Sequence, residues 1–173
     1  IYKNLRHLTI RQLYFTIVHP YFDHPPLNGL LVGGWSILNG QIAYDKVDLK
    51  TIRLVPIFLS LASSILLFLL AFKLFNYKTA VWALLIFSTA TIFAINQRTA
   101  FAENLITPLF LGALNMYAYT KKINLAKTIL LGIVSGLSFW TKELGIAVFF
   151  SMLYLLIQDR IKLKFILMFS GIF

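Results

Sequence analysis

Residues 125–157 read LAKTILLGIVSGLSFWTKELGIAVFFSMLYLLI, an apolar run broken by Thr141-Lys142-Glu143, with Gly145 following two positions later. Read as one helix, the run would be about 50 Å long, well beyond a hydrocarbon core of about 30 Å. Read as two, 125–141 and 144–157, it brings its basic flanks, Lys127 and Arg160, to the same side of a membrane. The pattern predicts two short helices, and this choice sets the direction of every other segment.

Working outward, apolar runs at 54–71 and 80–95 are long enough to cross a bilayer. A third begins with Asn104 and is expected to carry Pro108 in its first turn, where a missing N–H matters least. The predicted spans are about 54–72, 79–95, 104–120, 125–141, 144–157 and a segment from 165 that is still apolar at Phe173. The expected fold is all-α: a polytopic transmembrane helical bundle over 51–173, preceded by an extracytoplasmic loop over 1–50 that carries an interfacial helix. Composition agrees. Of 173 residues, 59% are apolar and 13% charged, against about 45–50% and 25% in soluble domains, and the mean hydropathy is +0.79. That excludes a water-soluble globule. With no cysteine, disulfide frameworks, thiolate nucleophiles and Cys-based metal sites are excluded too. The chain opens at Ile1 rather than Met and stops inside an apolar run, so it is read as a piece of a longer polypeptide.

The net charge of +10 would point to nucleic acid in a soluble protein, but basic residues collect in the cytoplasmic loops of membrane proteins. No nucleic-acid partner is expected. Alternate connections separate cleanly. Those holding Lys73 and Lys78, then Lys121, Lys122 and Lys127, then Arg160, Lys162 and Lys164 carry eight positives with Asp159 as the one acid. They are assigned to the cytoplasm. The others hold Arg98 and Glu103, then Lys142 and Glu143, two of each sign, and face outward. Residues before 54 join the outer side. Within them Leu27, Leu30, Leu31, Trp35 and Leu38 fall on one helical stripe, with Asn28, Ser36 and Asn39 largely elsewhere, as an interfacial helix requires.

Ionisable groups at membrane depth are costly and so mark function, whereas helix-end charges in the headgroup layer are cheap. In Asp23-His24-Pro25-Pro26 the two prolines hold the preceding backbone extended and present the acid and the imidazole rigidly. An ordinary turn capping the next helix is the plainer reading. Glu103 stands at the start of a span, where the helix dipole favours its charge and Arg98 is near enough in sequence to neutralise it. The alternative is a carboxylate aimed into a cleft. Lys142 and Glu143, being adjacent, point to different faces, so at least one is expected to meet another outer group. His7, His19 and His24 lack the spacing of a tight zinc site. No metal is assigned and no cofactor is required. A divalent cation held by Asp23 or Glu103 with a phosphate oxygen stays open. Gly132 and Gly136 fit a small-residue packing face.

In order, Tyr21-Phe22-Asp23-His24-Pro25-Pro26-Leu27, Arg53, Arg98-Thr99-Ala100-Phe101-Ala102-Glu103, and Gly132-Ile133-Val134-Ser135-Gly136-Leu137 leading to Thr141-Lys142-Glu143 form a series. From about residue 15 onward the chain resembles the polytopic glycosyltransferases of the GT-C superfamily. The nearest branch holds protein O-mannosyltransferases and lipid A aminoarabinose transferases. The resemblance implies transfer of a sugar, with inversion, from a polyprenyl-phosphate donor to an acceptor protein or glycolipid at an extracytoplasmic active site. It implies an integral, multi-pass protein of a prokaryotic plasma membrane rather than the endoplasmic reticulum. Asp23 and Glu103 then match the acidic positions, His24 and Lys142 the groups near the donor phosphate, and Tyr21, Arg98 and Glu143 complete the substrate-binding set. The family's first acid usually lies farther upstream, and residues 1–22 contain none. Its absence from the full protein would favour a non-catalytic structural subunit. A transporter, the third class, would carry inverted repeats, and none is evident.

Overall fold

Three helices start on asparagine or aspartate caps, which place a side-chain oxygen on an otherwise orphan N–H. Asp48 accepts from the Lys50 N–H (3.3 Å), Asn76 from that of Thr79 (3.0 Å) and Asn124 from that of Lys127 (3.0 Å). These open α2 (Leu49–Leu74), α3 (Tyr77–Thr89) and α5 (Leu125–Thr141); α1 (Leu27–Leu38) precedes them and α4 (Glu103–Ala118) lies between α3 and α5. After α5 come a single 3₁₀ turn (Glu143–Gly145), α6 (Ile146–Gln158) and α7 (Leu163–Ile172). The structure, a computed structural model, describes residues 6–10, 13–17, 25–41, 47–91, 95, 99–120 and 123–173.

From Leu27 onward the described chain is helical. Ahead of it lies an antiparallel hairpin, β1 (Arg6–Ile10) with β2 (Leu13–Ile17), Arg6 opposite Ile17 and Ile10 opposite Leu13. The sequence reading treated this segment as loop; its Leu, Tyr, Phe, Thr and Ile are strand formers. Two helix details also differ from the sequence pattern. Helix α3 stops at Thr89, with Ala90 extended, although the apolar run continues to residue 95. There the hydroxyls of Ser88 and Thr89 both donate to the Leu85 carbonyl, a local alternative to helical pairing. Helix α4 begins at Glu103, so Pro108 falls in its second turn, not its first, and cannot donate to the Asn104 carbonyl.

Polar cross-links reveal the helix directions. The Asn115 amide donates to the Leu66 carbonyl (2.8 Å) and the Tyr119 hydroxyl to the Leu69 carbonyl (3.0 Å), which sets α4 parallel to α2. Lys142, just past α5, meets Glu103 at the start of α4, so α5 runs antiparallel to α4. The Tyr117 hydroxyl donates to the Leu155 carbonyl (3.1 Å), and α6 returns parallel to α4. Among the described residues, one end of the bundle thus gathers Asp48, Lys50, Arg53, Glu103, Lys142 and Glu143, three of each sign. The other gathers Lys73, Lys78, Lys127, Arg160, Lys162 and Lys164 with Asp159.

The core lies among α4 to α7, where Ala113, Leu131, Val148, Met152, Leu156 and Phe169 are buried. Val148, Met152 and Leu156 recur every four residues and form the inward stripe of α6. Phe149 stacks on Phe169 and Phe173, with centroids 5.1 and 4.1 Å apart. The inward face of α5 is made of small residues and hydroxyls: Thr128, Gly132, Ser135, Ser138 and Thr141. Thr128, Ser138 and Thr141 return their hydroxyls to carbonyls of their own helix. A Cβ added at Gly132 would lie 3.0 Å from Ile172, so α5 and α7 approach closely there. The outside is apolar. Ile57, Phe58, Leu61, Ile65, Leu69 and Phe72 of α2 are exposed while Ser63 is buried. Helix α2, about 39 Å long, is long and apolar enough to cross a membrane, and only 28% of its spanning window is buried. Helices α1, α5, α6 and α7 are apolar but shorter.

The link from α5 to α6 depends on Gly145. A Cβ there would sit 1.9 Å from the Ser138 carbonyl oxygen and 2.6 Å from the Phe139 nitrogen, both rigid backbone. Gly145→Ala is expected to destabilise the bundle by at least the roughly 1–3 kcal/mol typical of overpacking, lowering the melting temperature by several degrees. An unchanged melting curve in detergent would disprove this contact.

Candidate functional site

The end of the bundle that holds Glu103 and Lys142 is assembled by three devices. Helix α5 ends at Thr141, and Lys142 is extended (φ −165°, ψ 154°), which swings its side chain out of the α5 barrel. The Gly145 N–H closes the following turn on the Lys142 carbonyl (2.8 Å). Glu103 is the first residue of α4, in the turn where orphan N–H groups favour a negative charge. Thirty-nine positions apart, the two meet: the Lys142 ammonium donates to Glu103 Oε1.

The second device is the segment leading into α4. The Asn104 amide donates to the Thr99 carbonyl, and the N–H groups of Asn104 and Leu105 close on the Phe101 and Ala102 carbonyls (3.1 and 3.0 Å). The third is α1, whose Asn28 amide donates to the Ala100 carbonyl (3.2 Å). Helix α1 is therefore moored to the approach to Glu103, and also to α2 through Gln41, which donates to Thr51 (3.0 Å) and accepts from the Asp48 N–H (3.1 Å). Its polar side turns inward, with Ser36 buried, while Leu30, Leu31 and Leu38 stay exposed. The mooring role of Asn28 and Asn104 was not read from the sequence; the available signal was an amide placed within an otherwise apolar run.

The pair is half open to solvent, with side-chain exposures of 22% for Lys142 and 47% for Glu103. Exposed ion pairs contribute only about 0–1 kcal/mol. The helices are held by packing rather than by this pair. Glu143, beside Lys142, begins the 3₁₀ turn and is exposed. Asp23, His24, Tyr21 and Arg98 lie outside the described residues, so the structure relates Glu103 to Lys142 and not to them. Among the described residues no cluster of three or more His, Asp or Glu is suited to hold a metal ion.

From Leu27 onward the described chain is a helical frame with an apolar exterior, bearing a carboxylate and an ammonium at one end. The chain matches a family model over residues 23–173, that of dolichyl-phosphate-mannose-protein mannosyltransferase, and it belongs to this GT-C family of membrane glycosyltransferases. The match begins at Asp23 and leaves the hairpin ahead of it. No curated protein and no solved structure matches the chain.

Because the pair is open, Glu103→Gln and Lys142→Met are each expected to cost at most about 1 kcal/mol of stability, with a coupling energy below about 1 kcal/mol in a double-mutant cycle. Thermal melting of the two single variants and the double variant checks this. A coupling of several kcal/mol would make the pair a structural lock.

Proposed function

We propose that this chain carries the sugar-transfer site of a multi-pass membrane glycosyltransferase that uses a polyprenyl-phosphate-linked sugar and works on the extracytoplasmic side with inversion. The observation that carries this reading is the meeting of Glu103 and Lys142 at the end of the bundle with balanced charge, in a chain of this family. Support for several spans comes from the inside-out arrangement: exposed Leu, Ile and Phe on α2, and buried hydroxyls on α5. Support for the sidedness comes from the basic residues at the far end, as cytoplasmic ends require. In this reading residues 1–50 form the outer loop and 51–173 the spans, in a prokaryotic plasma membrane.

In the proposed reaction an acceptor oxygen attacks the sugar's anomeric carbon from the face opposite the lipid phosphate. The bond from that carbon to the phosphate oxygen breaks, and the acceptor's proton passes to a carboxylate, Glu103 or Asp23. Negative charge grows on the departing phosphate, where Lys142, with His24 and Arg98, receives it. The resting pair holds side by side a carboxylate and an ammonium, the two kinds of group this reaction uses. Tyr21 and Glu143 take positions around the sugar. Asn28 supports the inclusion of Asp23 and His24, because it ties the helix that follows them to the segment entering Glu103. The acceptor is a protein or a glycolipid.

Lys142→Met is expected to lower kcat by about 10²–10³ in a folded enzyme, with Lys142→Arg restoring only part, since a planar guanidinium fills more room than an ammonium. Transfer from a polyprenyl-phosphate sugar by the purified full-length protein is the measurement, and an unchanged kcat removes Lys142 from the mechanism. For sidedness, cysteines placed at Thr99 and Glu143 should react with an impermeant thiol reagent from outside. Cysteines at Asn76, Ile123 and Lys162 should react only from the cytoplasmic side, and outside labelling at Ile123 would reverse the topology.

A further inference from the structure

At the basic end of the bundle, about 20 Å along α4 from Glu103, the ends of α4 and α6 and the start of α7 enclose a cavity of about 410 Å³. This lies within the roughly 300–1,000 Å³ range of small-molecule sites. Its wall includes Tyr117, Thr120, Asp159, Arg160, Lys162 and Phe165. The acid is engaged: the Tyr117 hydroxyl donates to Asp159 Oδ2. Two cations and the Thr120 hydroxyl complete the polar lining.

Arg160 is unusual in its backbone. The Ile161 N–H bonds the Leu156 carbonyl (3.0 Å) and the Arg160 N–H bonds that of Ile157 (2.9 Å), a Schellman end to α6. That motif puts Arg160 in the left-handed region, at φ 51°, where glycine is the least strained residue. Ile161 packs against the core cluster that holds Leu156, the hydrophobic contact that accompanies the motif. The geometry alone would be served better by glycine, yet this position carries a cation, and Arg160 is part of the cavity wall. Basic pockets between helices at the cytoplasmic boundary are built to take phosphate headgroups.

We propose that this cavity binds the phosphate of an anionic phospholipid headgroup, with Arg160 and Lys162 as the charged contacts. The site is separate from the transfer site. Its assignment to the inner leaflet rests on the sidedness given above, but the binding itself does not. The test uses the full chain in a zwitterionic detergent, with phosphatidylglycerol, phosphatidylcholine or inorganic phosphate added, read by native mass spectrometry and thermal melting. Phosphatidylglycerol is expected to stay bound and to raise the melting temperature, while phosphatidylcholine and inorganic phosphate do neither.

Arg160→Gly and Lys162→Gln should each weaken phosphatidylglycerol binding by roughly fivefold, about 1 kcal/mol per cation. Lys78→Gln, at the same end but outside the cavity wall, should leave it unchanged. Arg160→Gly relieves the left-handed strain, so the lipid-free variant should melt no lower than the parent and its binding loss cannot be ascribed to unfolding. Equal retention of phosphatidylcholine, undiminished binding by Arg160→Gly and Lys162→Gln, or an equal loss in Lys78→Gln would overturn the proposal. Equal stabilisation by inorganic phosphate would make this an anion site and overturn the lipid assignment. None of these readouts depends on sugar transfer, so failure here and failure of the transferase reading remain distinct.

Discussion

The seat of Gly145 beneath the Ser138 carbonyl is the contact on which the Glu103–Lys142 end of the bundle depends. With no side chain at 145, the 3₁₀ turn lies flat against the last turn of α5, and α6 begins at once. The backbone reverses within a few residues, and the Gly145 N–H donates to the Lys142 carbonyl across the turn. Lys142 is extended because the chain has to leave α5 before it can enter that turn. A bulkier link would push α6 from α5, and with it the Val148, Met152 and Leu156 stripe that fills the core.

Around this point the chain reverses the usual distribution of polarity. Hydroxyls and small residues make the inward face of α5, and many large apolar side chains of α2 face out, beside a core of Leu131, Met152, Leu156 and Phe169. In hydrocarbon there is little hydrophobic gain in bringing Leu against Leu, so close backbone approach and a few cross-helix hydrogen bonds hold the bundle. Asn115 is the strongest example, buried and donating both to Leu66 on α2 and to Leu111 on its own helix (2.8 Å each). The same logic allows α1 to face the protein with Asn28 and Ser36 and present leucines outward.

An ion pair in such a frame need not be a stabilising element. Glu103 and Lys142 are partly solvated, and the energy of holding them together is small beside the packing that positions them. This division suits a transferase of the GT-C family. Helix packing, not the ion pair, sets how close Glu103 and Lys142 come. At the other end, Tyr117 and Asp159 are joined in a similar way, leaving the neighbouring cations without an acidic partner on that wall.

Much was legible from the linear sequence because it follows from short-range rules. Apolar runs lie where helices form, and the polar break inside 125–157 falls where α5 ends, whereas the caps Asp48, Asn76 and Asn124 became visible only in the structure. Glu103 stood out as an acid at the start of an apolar run, and Lys142 as a cation that breaks one. Their encounter could not be read, because thirty-nine positions separate them and only the antiparallel packing of α4 on α5 closes that gap. The early stop of α3 and the place of Pro108 in α4 were likewise decided by hydrogen bonds and helix starts that composition does not encode. The hairpin at residues 6–17 escaped for the same reason, since strand pairing joins two segments and is not a property of either alone. Sequence by itself determined which residues prefer lipid, which turn the chain and which carry charge; tertiary structure decided which charges share an end, because that depends on helix direction and close packing, and both are long-range.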